Sequence, residues 1–301
     1  MAVNKNGIVV MGAVFVDIKG FPDDVYIPDG RNAGKVEYIH GGVSRNVVED
    51  IANMELRPTF LSIVDESALG DAVVRKLNTG YMRVVPGGMG TWLAVFDNNG
   101  DLAGSISQRP DLMPLLDVLA KKGDEIFANA DSIIIEVDVD KEIVKKVVEL
   151  CEKHQKKLYG VVSNMSIAVE RRDFLQKFDC FICNQLEAGI FFTDDYSEKT
   201  PEELCKILAE RLPELAEILA KKLQLAKIPS MVVTMGGAGS VYADMKGKKG
   251  FCPAKKVQVK DTTGAGDAFC AGVSSGLTYG RTLAESVEIG TRLAASVITS
   301  S

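Results

Sequence analysis

The run Asp261-Thr262-Thr263-Gly264-Ala265-Gly266-Asp267 is the densest concentration of chemistry in the chain. Its glycines let the backbone turn sharply and approach a ligand closely, and it opens the apolar stretch Ala268 to Leu277, which has helical character. Exposed N–H groups at a helix start favour an anion, so this is a place for phosphate. A carboxylate in the first turn sits awkwardly beside an anion unless it has a second task. Accepting the proton of an attacking hydroxyl is such a task, which makes Asp267 a candidate general base. An acid in a first turn can also do no more than complement the helix dipole, and both readings of Asp267 stand on the residues alone.

Further polar groups follow apolar, strand-like runs. Asn184-Gln185-Leu186-Glu187 succeeds Phe178 to Cys183, and its spacing of three puts Asn184 and Glu187 on one side of a helix start, as an Asn cap with its partner acid also would. Thr234-Met235-Gly236-Gly237-Ala238-Gly239 ends another run, and a plain hairpin entry into Ser240 to Met245 would use the same glycines. Near the N-terminus, Asp17 is expected at the end of a first strand spanning Gly7 to Asp17, and Gly41-Gly42-Val43-Ser44-Arg45-Asn46 opens a helix. Groups at the carboxyl ends of strands in an open parallel sheet line the ligand crevice. Neither a Walker loop nor a dinucleotide fingerprint competes: Gly30 to Lys35 lacks the spacing and the following Ser or Thr.

The heptapeptide ending at Asp267 closely resembles the C-terminal signature of the ribokinase-like (PfkB) carbohydrate and nucleoside kinases, and the resemblance extends over nearly the whole chain. It implies an ATP-dependent phosphotransferase. Gly264, Ala265 and Gly266 would form an anion hole for the transferring phosphoryl group, and Asp267 would activate the acceptor hydroxyl. Asn184 and Glu187 resemble the family's Asn-x-x-Glu motif, which orders Mg2+-bound water and the nucleotide phosphates. Thr234, Gly236 and Gly239 resemble its Thr-x-Gly-x-x-Gly turn beside the nucleotide. Asp17, Gly42 and Asn46 would hydrogen-bond sugar hydroxyls. Asp261 and Thr263 would contribute to a K+ site, which relatives complete with a segment beyond the position of Ile298 to Ser301. The wording Asn32-Ala33-Gly34-Lys35 with Gly-Gly-Val-Ser-Arg-Asn is nearest the pseudouridine kinase branch, which phosphorylates a ribose 5′-hydroxyl, with Thr91 facing the substrate. Ser107-Gln108-Arg109-Pro110 departs from that branch, and Arg109 would suit a sugar acid. The alternatives are a kinase for ribose, fructose or 2-keto-3-deoxygluconate, or a non-catalytic nucleotide or sugar sensor.

The elements that must hold these groups alternate between short β-branched runs and longer helical stretches. This predicts an α/β fold: an open, mostly parallel sheet with helices on both faces. Strands are expected at 59–64, 132–137, 157–162, 178–183, 230–234 and 257–260, and helices at 43–54, 141–153, from about 265, and at 282–297. The stretch Pro201 to Ala226 reads as a helix pair broken near Pro213. Residues 25–39 and 82–107 break the alternation. With their flanks, about 19–40 and 81–108, they read as a small β-sheet lid on a single kinase domain of residues 1–301. Asp97-Asn98-Asn99-Gly100 predicts a tight primed turn within it. Exposed lid edges invite pairing between two copies of the chain.

At 301 residues, 46% hydrophobic and 25% charged, the chain can bury a sizeable core. Its formal net charge of −6 argues against nucleic-acid or anionic-membrane partners and leaves a small-molecule substrate. Met1 leads into Gly7 to Val10 without a basic region ahead of a long apolar stretch, so a cytoplasmic protein is expected. Six scattered cysteines read as reduced core residues, and Cys180-Phe-Ile-Cys183 as a buried strand.

Overall fold

The computed structural model describes residues 5–77, 79–163, 172–192 and 201–300; Met1 and Ser301, named above, lie outside them. In chain order the strands are β1 (Gly7–Met11), β2 (Phe15–Pro22), β3 (Gly34–Gly41), β4 (Thr59–Leu61), β5 (Ile63–Val64), β6 (Arg83–Val84), β7 (Gly90–Phe96), β8 (Leu102–Gln108), β9 (Ala130–Glu136), β10 (Lys157–Val161), β11 (Cys180–Asn184), β12 (Ser230–Thr234), β13 (Gly239–Asp244) and β14 (Lys249–Pro253). The helices are α1 (Val43–Asn53), α2 (Ala68–Lys76), α3 (Leu115–Ala128), α4 (Lys141–His154), α5 (Arg172–Leu175), α6 (Gln185–Phe192), α7 (Pro201–Ala226), α8 (Ala265–Thr278) and α9 (Leu283–Ser300).

Eight strands form the main sheet in the order β14-β13-β12-β11-β10-β9-β1-β4. It is parallel from β4 to β12 and antiparallel across β12, β13 and β14. Because helices cover both faces, the inner strands are apolar at every position, as in Ile8-Val9-Val10-Met11 and Ile133-Ile134-Ile135. Alternate residues feed two cores. Val9, Met11, Ile133 and Ile135 pack with α3, α4 and Leu219 and Leu223 of α7. Ile8, Val10 and Ile134 pack with Val47 and Ile51 of α1, Phe269 and Val273 of α8, and Val287 of α9. The chain leaves β1 for β4 on one side and returns to β9 on the other, so a switch point opens at the carboxyl ends of β1 and β9.

A separate four-stranded sheet, β3-β2-β7-β8, projects from this layer. Three expectations change here. Asp17 does not end the first strand: β1 stops at Met11, and Asp17 lies inside β2, paired with Ile39 and Trp92. The β7–β8 hairpin has no two-residue primed turn. Gly100 donates to the Asp97 carbonyl and alone takes a left-handed φ of 86°, and Asp97 N–H closes the loop on the Asp101 carbonyl. The Asp97 carboxylate, accepting from Asn99 and Asp101 N–H groups, favours this wider loop. The expected run 59–64 divides between β4, in the main sheet, and β5, which pairs with β6.

Two more readings are corrected near the C-terminus. Residues 257–260 form no strand; Lys260 N–H bonds the Ile298 carbonyl instead, and β14 supplies the last strand. α7 is one 26-residue helix that runs through Pro213. A proline inside a helix forfeits one backbone hydrogen bond, and the burial of Ala216, Leu219 and Leu223 against the sheet outweighs that loss. Among the described residues no helix is long and apolar enough to cross a membrane.

Candidate active site

The N-terminus of α8 begins at Gly264, whose φ of 76° is left-handed, a conformation in which a side chain would be strained. No side chain caps this helix. Ala265 N–H donates to the Thr262 carbonyl at 3.2 Å, while Gly266 and Asp267 N–H lie in the first turn, where the helix itself offers no acceptor. A Cβ built on Gly266 would meet nothing within 4 Å, so a ligand can approach the backbone there. Ahead of the turn, Thr263 N–H and Oγ1 both donate to Asp261 Oδ1 at 2.9 Å, and these bonds hold the Asp261 carboxyl below its usual range.

Asp267 is partly buried, and desolvation pushes its carboxyl up to about 6. The nearby charges of Glu187 and Asp17 push the same way. Opposing them, Asn46 Nδ2 on α1 donates to Asp267 Oδ2 at 2.7 Å. Asn46 Oδ1 accepts from Arg45 at 3.0 Å, and Arg45 pairs with Glu49 at 2.5 Å. Arg45 can only donate, so the amide must present its NH2 to the carboxylate. Residues 221 positions apart are thereby joined at one point.

Asp17 approaches from the small sheet, its carboxyl raised by burial while Lys19 and Arg45 lower it. Gly41 lets the chain pass, since a Cβ there would lie 2.3 Å from Asp17 Oδ1. Gly42 is the cap position of α1. Thr91 does not join Asp17: its register partner on β2 is Val16, so it points to the opposite face, and Trp92 takes the place beside Asp17. At α6, Asn184 and Glu187 close a reciprocal cap. Asn184 N–H donates to Glu187 Oε2 at 2.7 Å and Glu187 N–H to Asn184 Oδ1 at 2.9 Å. Burial raises the Glu187 carboxyl, against the Asn184 hydrogen bond. Thr234 closes β12, with its hydroxyl 3.5 Å from the Cys183 carbonyl, and Gly236 and Gly239 flank the short 3-10 turn into β13.

Two carboxylates at the switch point escaped the sequence reading. Glu136, the last residue of β9, is buried and accepts from Ala13 N–H at 2.5 Å. Burial and the neighbouring Asp138 raise its carboxyl. Asp138 is buried and paired with Arg109 at 2.5 Å, and it accepts from Ser163 Oγ at 2.7 Å. Arg109 is therefore paired within the protein, with its side chain 35% exposed. The available signal was an acid terminating the apolar run Ile133 to Ile135. Asp50, one helical turn beyond Asn46, was also missed; burial and the Asp267 charge push its carboxyl up to about 7. Among the described residues no group of three or more His, Cys, Asp or Glu could hold a metal ion.

The pfkB family carbohydrate kinase profile matches residues 5–301. The guanosine-inosine kinase of Exiguobacterium acetylicum is 35% identical over 98% of this chain and 95% of its own length. The pseudouridine kinase of Escherichia coli K12 is 26% identical over 94% of this chain and 87% of its own. In fold, the chain resembles Arabidopsis thaliana ribokinase, solved with ribose and ATP, with a TM-score of 0.80 at 18% identity over 99% of this chain and 93% of that one. By that match and that identity, this chain belongs to the pfkB family of carbohydrate kinases and is a small-molecule kinase for a sugar or nucleoside.

Proposed function

We propose that the chain transfers the γ-phosphoryl group of ATP to the ribose 5′-hydroxyl of a nucleoside. Guanosine or inosine stands ahead of pseudouridine, which the sequence wording alone had favoured. The preference rests on the higher identity to the guanosine-inosine kinase, 35% against 26%. The catalytic reading rests on one observation, the Asn46–Asp267 contact at the mouth of the α8 turn.

Asp267, with its carboxyl near 6, is largely ionised at neutral pH and more basic than an ordinary aspartate. It takes the hydroxyl proton as the ribose oxygen bonds to the γ-phosphorus and the bond to the β-phosphate oxygen breaks, releasing ADP. The N–H groups of Gly264 and Gly266 face the developing charge, and Ala265 joins them if its bond to Thr262 opens. Asp17, Gly42 and Asn46 position the ribose. Thr234, Gly236 and Gly239 border the nucleotide. Asn184 and Glu187 orient water on Mg2+, which neutralises phosphate charge when bound. Asp261, ionised and exposed, fits a K+ site with Thr263.

The small sheet acts as a lid over the acceptor. Its outer face carries a row of apolar residues in register, with Ile18 between Tyr38 and Leu93 and Ile106 beyond; Tyr38, Leu93 and Ile106 are exposed. A second copy of the chain would cover them, which sedimentation at two concentrations tests. ADP release with MgATP and K+ over guanosine, inosine, pseudouridine, ribose, fructose and 2-keto-3-deoxygluconate tests the activity. Turnover of a nucleoside at the highest kcat/KM supports the proposal. A free sugar in first place discards the nucleoside. Thermal stabilisation by ligand with no ADP release on any acceptor would make the chain a sensor.

A further inference from the structure

The inner face of the small sheet has a composition that the catalytic reading does not use. Strand register places Asp17, Trp92, Ile39 and Ser107 in one row across β2, β7, β3 and β8. In a sheet, register partners point to the same side. Two electrostatic couplings turn that side toward the α8 turn: the Asp17 charge acts on Asp267, and the Lys19 charge acts on Asp261. The next row on the same face puts Ala94 beside Lys19, with Ala94 fully buried. Beyond it Phe21 stacks on Phe96, with ring centroids 5.0 Å apart and planes 11° from parallel. Trp92 therefore stands at the inner end of an apolar band, next to the carboxylate proposed to hold the ribose. It remains partly exposed, and Ile39 on the other side of Asp17 is exposed.

A hydrogen-bonding carboxylate flanked by a wide aromatic ring and an aliphatic side chain suits a ligand with hydroxyls on one part and a flat ring on the other. A free sugar offers Trp92 only the C–H edge of its ring, a smaller and less planar contact than a base. We infer that Trp92 is the platform on which the nucleobase stacks, and that it determines selection of nucleosides over free sugars. The inference rests on the nucleoside reading above. Stacking of a base on an aromatic side chain is sequence-tolerant, because every base presents a π-face, so the platform selects for a base without choosing among bases.

Trp92 is the only tryptophan of the chain, so its fluorescence reports the contact in the unaltered protein. Guanosine, inosine, pseudouridine and ribose would each be titrated against that signal, and the steady-state constants of wild type, Trp92→Ala and Trp92→Phe compared. The expected result is saturable quenching by the nucleosides and none by ribose. Trp92→Ala should raise the nucleoside KM at least ~10-fold with kcat nearly unchanged, and Trp92→Phe should recover most of the loss. A nucleoside that is phosphorylated well yet leaves Trp92 fluorescence and the Trp92→Ala KM unaltered overturns the platform while leaving the nucleoside kinase intact. If wild type phosphorylates ribose and no nucleoside, the nucleoside reading itself fails, and the platform with it.

Discussion

The helices α6 and α8 begin on the same pattern, a cap position followed three residues later by an acid, and use it in opposite ways. At α6 the cap is Asn184, and it and Glu187 satisfy each other's backbone N–H groups. At α8 the cap is Gly264, which has no side chain to offer, so Gly266 and Asp267 N–H receive no side-chain cap and Asp267 turns across to Asn46 on another helix. The residue at the cap thus decides what the acid can do. An Asn closes the helix end upon itself, whereas a glycine leaves the helix start without a side-chain cap and the carboxylate beside it free to reach another helix.

The largest effect that would break this comparison is on Asp267. Asp267→Asn should lower kcat at least ~100-fold in the ADP-release assay, the usual lower bound for losing a positioned base. It should also raise the melting temperature. The folded carboxyl, at about 6, lies above its ordinary 3.8, so the native state binds the extra proton. Stability is then lost as pH rises from about 4 through 6, a cost on the order of 3 kcal/mol at neutral pH that the amide avoids. An acid that merely complemented the helix dipole would give the opposite sign, a lower melting temperature with activity retained.

The next effect is on pH. For wild type, kcat/KM should be flat above about pH 6 and fall toward tenfold per unit below it, as Asp267 takes up its proton. Asn46→Ala removes the hydrogen bond that favours the ionised form, so the acid limb should move to higher pH. A limb that stays in place would separate Asn46 from the base. The smallest effect sharpens the contrast from the other helix. Glu187→Ala should open the α6 cap and lower stability by about 1 kcal/mol in thermal or denaturant unfolding. Unchanged stability in Glu187→Ala would mean that the reciprocal cap contributes nothing and would erase the distinction between the two helix starts.

Most of the main layer was legible because both periodicities are strong there. The apolar runs of β9, β10, β11 and β12 and the stripes of α1 and α4 fall within a residue or two of their expected positions. The Asp261–Asp267 turn was legible for a local reason: glycine, threonine and aspartate at those offsets have few other uses between a sheet and a helix. Residues 257–260 misled because alternating valines favour a strand only if an edge is available, and β14 already occupies the sheet's end. Pro213 misled because helix propensity is local while the packing of α7 is not.

The sequence by itself determined the α/β class and the family, since the periodicities and the signature at Asp261 to Asp267 are written in contiguous residues. Only the tertiary structure decided which partner that acid meets, because Asn46 and Asp267 are distant in sequence and converge where α1 and α8 share one core. It also decided that Trp92 rather than Thr91 stands beside Asp17, since one step of register exchanges the two faces of a strand. And it decided that Arg109 is held by Asp138, because a buried carboxylate at a strand end requires a partner that spacing along the chain does not reveal.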